Sequence, residues 1–255
     1  MLDFTYEMYR YLCRSLLDAG YHPTKMENYP DCLFANRIFL RHDVDRSPKQ
    51  ALEMAKIEKE FGIVSTYFFR TVPQVYDKRI IEEIVDLGFE IGYHYEVLDK
   101  AHGDYAKAIA LFEQELTELR ALFPVRSISM HGVPFSPYDN RDLWKKYDFR
   151  DYGIKVAAYH TLDFTKVRYL SDTGRTWDTE KSNLKDLISD APEVQLAGTC
   201  TLIGYLSSEL SDTCLLIHPN RWTNQPAIWI YNLGYDMLSN VAKMMIKKFR
   251  GVKRL

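Results

Sequence analysis

Two spacings of apolar residues take turns along this chain. Short runs rich in β-branched and aromatic residues fit strands, and runs with apolar positions three or four apart fit helices. The first helix is expected over 3–19, ended by Gly20, and a polar loop with Pro23 and Pro30 follows. From there strand, loop and helix repeat. Strand 38–42 leads to a helix over 48–61, strand 63–69 to a helix from Asp77 to Gly88, and strand 89–93 to a helix over 104–122. Strand 125–130 runs into the loop His131-Gly-Val-Pro-Phe-Ser-Pro137. Beyond it the pattern loosens. Helical character is expected at 139–147, 182–189 and 198–209, strands at 154–158, 166–170 and 213–217, and a last helix at 227–249.

Strands that alternate with helices in this way imply parallel βαβ units. About seven of them suggest a closed or nearly closed (β/α) barrel, with an open doubly wound sheet as the alternative. Either way, ligands meet such a sheet at the carboxyl ends of its strands. Polar residues gather at those ends. His42, Asp43 and Asp45 close the first strand, His94 the third, His131 the fourth, Asp172 the strand at 166–170, and His218 the last. Asp43 and Asp45 lie two apart, so an extended backbone points both side chains the same way. Ser47 suits an N-cap and Pro48 the first helical position. Taken singly, each of these residues has a structural explanation; their joint placement is what marks a site.

Composition narrows the function. The chain has 255 residues, 46% of them hydrophobic, enough for one large α/β domain. Lys and Arg number 33 against 35 Asp and Glu, for a formal net charge of −2, which argues against a nucleic-acid binder working through a broad basic surface. Cys13, Cys32, Cys200 and Cys214 form no C-x-x-C pair, and Cys200 and Cys214 sit in apolar runs that read as core. With Asp3, Glu7 and Arg10 interrupting any leader-like apolar stretch, a cytoplasmic setting with reduced thiols is expected.

The motifs His42-Asp-Val-Asp45, Glu90-Ile-Gly-Tyr-His94 and Leu216-Ile-His218 resemble those of the polysaccharide deacetylases, the NodB-homology group or carbohydrate esterase family 4, over residues 36–222. The resemblance implies a distorted βα barrel that removes N-acetyl groups from sugars with one divalent metal, usually zinc, and the chain, 1–255, is read as one such domain. On that match Asp43 is the base, Asp45 and His94 bind metal, and His218 is the general acid. Leu98 stands where the family has its second metal histidine. His131, Glu96, Asp99 or His102 could supply the missing ligand, and His131 is favoured because its loop opens on the same face. Met130-His-Gly-Val-Pro134 replaces the family's Arg-Pro-Pro-Tyr-Gly motif, whose roles include steadying the base. The segment 169–177 resembles the motif in which an Asp and a Trp, here Asp172 and Trp177, support the catalytic histidine. Arg41, His42 and Arg175 are expected to support the site or bind substrate, and Arg221 and Trp222 either to meet a phosphate and a sugar face or to pack at the barrel rim.

Asp43-x-Asp45, Met130-His-Gly132 and His218-Pro-Asn-Arg-Trp222 together resemble a divergent subgroup associated with bacterial surface polysaccharide assembly. The implied substrate is an acylated sugar, nucleotide sugar or lipid-linked glycan. Two other readings stay open: an inactive glycan-binding or scaffolding relative, and a metal hydrolase of another amide or ester. The tail is basic, with Lys243, Lys247, Lys248, Arg250, Lys253 and Arg254 and no acid over 240–255. Contact with an anionic membrane surface, or a packed last helix with a solvated end, would each suit it.

Overall fold

The computed structural model describes residues 1–29, 31–133, 136–177 and 194–250, with the backbone alone at 243 and 246–250. The helix expected at 182–189 lies outside the described residues. The strands are β1 (His22–Pro23), β2 (Arg37–Val44), β3 (Thr66–Phe69), β4 (Glu90–Tyr95), β5 (Ser127–Met130), β6 (Val156–Ala157), β7 (Arg168–Ser171) and β8 (Thr213–Ile217). Seven of them form one sheet in the order β6-β5-β4-β3-β2-β8-β7, and every pairing is parallel. β1 adds to the start of β2, where β3 has not yet begun.

The sheet curls into a half-barrel. Its concave side gathers Phe39 from β2, Phe68 from β3, Val156 from β6, Tyr169 from β7 and Cys214 and Leu216 from β8 into one buried cluster. The two edge strands, β6 and β7, thus share a core although the described residues show no ladder between them. The distorted barrel expected from the sequence is the observed architecture, and the doubly wound alternative is not. Side chains alternate strictly: Ile38 and Leu40 point outward under α1 (Tyr6–Asp18) and α6 (Thr199–Ser208), while Phe39 points in. Burial on both faces explains why β2 reads as an unbroken apolar run.

The concave space is tight at one point. A Cβ on Gly92 of β4 would collide with the Phe68 ring, which is why that position carries none. Thr5, Asp77 and Asp104 cap α1, α3 (Lys78–Asp86) and α5 (Tyr105–Arg120) by accepting backbone N–H groups, as their types favour. Ser47 departs from expectation. It precedes α2 (Pro48–Glu60) in a left-handed conformation, φ 58°, and its side chain caps nothing. The expected 139–147 helix is a 3-10 segment over Asn140–Lys145. Cys200 is exposed, not core, because it lies on the solvent side of α6. Among the described residues no helix is long and apolar enough to cross a membrane.

Candidate active site

β2 runs two residues beyond the strand read from the sequence, because β3 continues the ladder through Asp43↔Phe68 and Val44↔Phe69. Asp43 therefore ends a strand on its concave side, and Asp45 follows one pleat later on the same side. His94 sits on β4 opposite Ser129 of β5. His131 comes just past β5 and extends its ladder, its N–H donating to the Tyr95 carbonyl at 2.8 Å. His218 follows β8, and Asp172 follows β7 with its N–H on the Leu216 carbonyl at 3.1 Å. Five strand ends thus meet over the mouth of the half-barrel.

Asp45 is the centre of this cluster. His94 Nε2 lies 3.2 Å from Asp45 Oδ1, His131 Nε2 3.7 Å from the same oxygen, and His218 Nε2 3.8 Å from Oδ2. His94 Nε2 is also 3.5 Å from Asp43 Oδ2. Each imidazole is held by its other nitrogen. His94 Nδ1–H donates to the Ser129 carbonyl at 3.1 Å, His131 Nδ1–H to Glu96 Oε2 at 2.7 Å, and His218 Nδ1–H to Asp172 Oδ1 at 2.6 Å. That leaves three Nε2 atoms facing one carboxylate.

Charge on the carboxylates follows from these neighbours. Burial pushes the Asp45 carboxyl up, but His131, His94 and His218 together hold it well below the usual range. Burial likewise works against the Asp43 anion, and Arg41, then His94, outweigh it, so its pKa is lowered. For His94 burial disfavours the charged ring, yet Asp43 and Asp45 win and its pKa is raised. Glu96 is lowered to about 2: burial opposes ionisation, and the bond from His131 and the charges of His131 and Arg70 overcome it.

By type, these donors are those that bind a divalent cation. Ligands at roughly 2.0–2.2 Å in tetrahedral array stand about 3.3 Å from one another, and the 3.2 and 3.7 Å separations around Asp45 lie close to that. One carboxylate and two imidazoles whose far nitrogens are engaged is a zinc-type set. The contacts are pairwise: among the described residues, no group of three or more His, Cys, Asp or Glu is placed so that it could hold a metal ion.

No protein-family model matches the chain, and no curated protein does. Among solved structures it is similar to BA3943 from Bacillus anthracis, described as a pseudoenzyme of the CE4 family, at 14% identity and a TM-score of 0.43. That match covers 85% of this chain and 62% of BA3943, so the chain spans less than two thirds of that protein. A BA3943 mutant described as having restored enzymatic activity matches at 14% identity and a TM-score of 0.39, covering 87% and 65%. A family 4 carbohydrate esterase from the same organism matches at 11% identity and 0.37, covering 90% of this chain and 84% of its own.

The remaining expected residues divide. Arg41 is fully buried and clamps both Asp43 oxygens, Nε to Oδ1 at 2.9 Å and Nη2 to Oδ2 at 2.6 Å, while Nη2 also donates to Ser129 Oγ and stands 2.9 Å from Tyr159 Oη. It supports Asp43 and does not reach substrate. His42 is turned to the opposite face by strand alternation, where Nε2 meets Glu58 Oε1 at 2.6 Å; it belongs to the outer core, not the site. Trp177 does not support His218. Its Nε1–H donates to Thr199 Oγ1 at 3.1 Å. The indole that reaches Asp172 is Trp222, Nε1–H to Oδ2 at 3.0 Å, and Arg221 Nη1 adds a bond to Oδ1 at 3.2 Å. Both are buried, so neither offers a face to a sugar or phosphate. Arg175 lies over the Phe4 and Trp229 rings, 4.6 and 4.8 Å from their centroids, and its Nη1 donates to the Arg221 carbonyl at 3.3 Å.

Three contributors were not singled out in the sequence. Arg70 grips Glu96 at 2.8 Å, and Ser129 and Tyr159 share the Arg41 guanidinium. Glu96, one of the residues offered as the missing ligand, instead anchors His131 through Nδ1. Leu98, in the place of a family histidine, is packed into the outer apolar core.

Proposed function

We propose that this protein is a metal-dependent hydrolase that removes an N-acetyl group from a sugar, nucleotide sugar or lipid-linked glycan of bacterial surface polysaccharide synthesis. The observation that carries the reading is the convergence of three imidazole Nε2 atoms on Asp45, each ring fixed by its far nitrogen, with Asp43 Oδ2 3.5 Å from His94 Nε2. Asp45, His94 and His131 would hold the cation, with His131 in place of the missing second histidine. When bound, a divalent cation lowers the pKa of a water and polarises the acyl carbonyl.

Asp43 takes the proton of the attacking water, its carboxylate kept ionised and aimed by Arg41. His218 gives a proton from Nε2 to the departing amine, with Nδ1–H pinned on Asp172 so that the ring cannot turn away. Trp222 and Arg221 complete the shell around Asp172 and keep it ionised against its burial.

The decisive experiment measures metal by elemental analysis and acetate release from N-acetylated nucleotide sugars, for the purified protein and for Asp43→Asn. The expected result is about one divalent ion per chain in both proteins. Acetate release should fall in Asp43→Asn by roughly a thousandfold or more. Full activity in Asp43→Asn removes it as the base. A chain free of metal after loading supports the second reading, a glycan-binding relative, which Leu98 favours. Metal without acetate release on sugars would favour another amide or ester.

A further inference from the structure

The last helix, α7 (Pro226–Arg250), carries its polarity inside out. Toward the domain it turns Asn232, Asp236 and Asn240. Asn232 Nδ2 donates to the Asn220 carbonyl at 2.5 Å, Asp236 Oδ2 lies 3.5 Å from Arg221 Nε, and Asn240 Nδ2 donates to the Gly174 carbonyl at 3.0 Å. Toward solvent it turns Ile230, Tyr231, Met237, Leu238, Met244 and Met245, which are between 55% and 75% exposed. At about 100° per residue these six fall on one side of the helix, opposite the three polar anchors. Such a face is left wet only if something else covers it.

We propose that α7 is an in-plane membrane anchor that lays this face into the interface of a bilayer containing anionic lipids. The helix is not of the kind that crosses a membrane, and a strongly sided helix with a basic end is suited to lie along one. Charge selects the occupant. Lys243, Lys247, Lys248, Arg250, Lys253 and Arg254 fall in the last sixteen residues, 240–255, with no acid among them. Asp236 is the sole acid from 226 onward, and it is spent on Arg221 inside the domain. A second copy of this surface therefore offers no counter-charge, whereas anionic headgroups do.

The anchor also borders the candidate site. Arg46, next to Asp45, lies over the Tyr235 ring at 4.0 Å, and Asp236 joins Arg221, Asp172 and His218 in one chain of contacts. A bilayer under α7 thus meets the protein beside the mouth of the half-barrel.

Flotation of the full chain with vesicles tests this without any enzymatic readout, so it stands or falls apart from the proposed chemistry. Wild type should float with phosphatidylcholine vesicles that contain phosphatidylglycerol, bind phosphatidylcholine alone at least roughly tenfold more weakly, and be released by high salt. Leu238→Glu with Met245→Glu, and separately Lys247→Glu with Lys248→Glu, should each weaken flotation at least roughly tenfold. Equal binding to both vesicle types, or none to either, overturns the proposal. So does a stable dimer by analytical ultracentrifugation that Leu238→Glu with Met245→Glu dissociates, since a second copy would then be the cover.

Discussion

Arg41 and Asp43 grip each other along a single strand, two residues apart, through parallel bonds of 2.9 and 2.6 Å in full burial. The two-residue period of β2 puts both on the concave side. Arg41 therefore supports Asp43 from within its own strand.

This pair should be expensive to break from one side. Arg41→Met leaves the Asp43 carboxylate buried without its counter-charge, and such a loss costs about 3–5 kcal/mol. Urea denaturation is expected to show a drop of that order, with activity lost as well. A change under about 1 kcal/mol would mean that His94 and His218 offset the Asp43 charge unaided.

Trp222 and Trp177 should behave differently in the proposed reaction. Trp222→Phe removes an N–H from Asp172, and loss of such an orienting bond typically lowers activity by roughly 10–100-fold. Trp177→Phe removes only the bond to Thr199 and should leave the pH profile of the reaction unmoved. Steady-state kinetics across pH separates the two, and equal effects would place Trp177 back beside His218.

Metal content should track His131 and its anchor. His131→Ala is expected to lose the ion outright, and Glu96→Gln to weaken its binding by roughly 10–100-fold, since Glu96 fixes the ring through Nδ1. Elemental analysis after dialysis reads both. Unchanged content in His131→Ala would exclude it as a ligand.

Acid sensitivity should come in part from the outer core. Glu58 is fully buried and accepts from His42, Ser65, Tyr67 and Tyr9. Burial pushes its carboxyl up, but His42 and the hydrogen bonds bring it below the usual 4.5. A lowered folded-state pKa means that the unfolded chain holds the proton more tightly. Glu58 therefore stabilises the fold above about 4.5, and that contribution fades as pH falls through the folded value. Glu58→Gln should be less stable near neutrality and lose less stability on going from about pH 7 to about pH 3. Parallel pH–stability curves for the two proteins would show that Glu58 does not set the acid limb.

Much of the frame could be read from the chain alone. Parallel strands between helices are local patterns, since alternation of β-branched runs with helical spacing needs no knowledge of neighbours. The strand-end positions of Asp43, Asp45, His94, His131 and His218 followed from the same patterns. Sidedness and partnership did not. His42 and Asp43 are adjacent, yet one faces Glu58 in the outer core and the other Arg41 in the mouth, because the pleat turns successive side chains to opposite faces. Nor could spacing tell that Trp222, not Trp177, meets Asp172, a contact between β7 and β8 that depends on their pairing. The exposed face of α7 is visible only once Asn232, Asp236 and Asn240 are seen turned inward. Sequence determined which residues stand at the strand ends; the curl of the sheet and the order of its strands decided which of them meet.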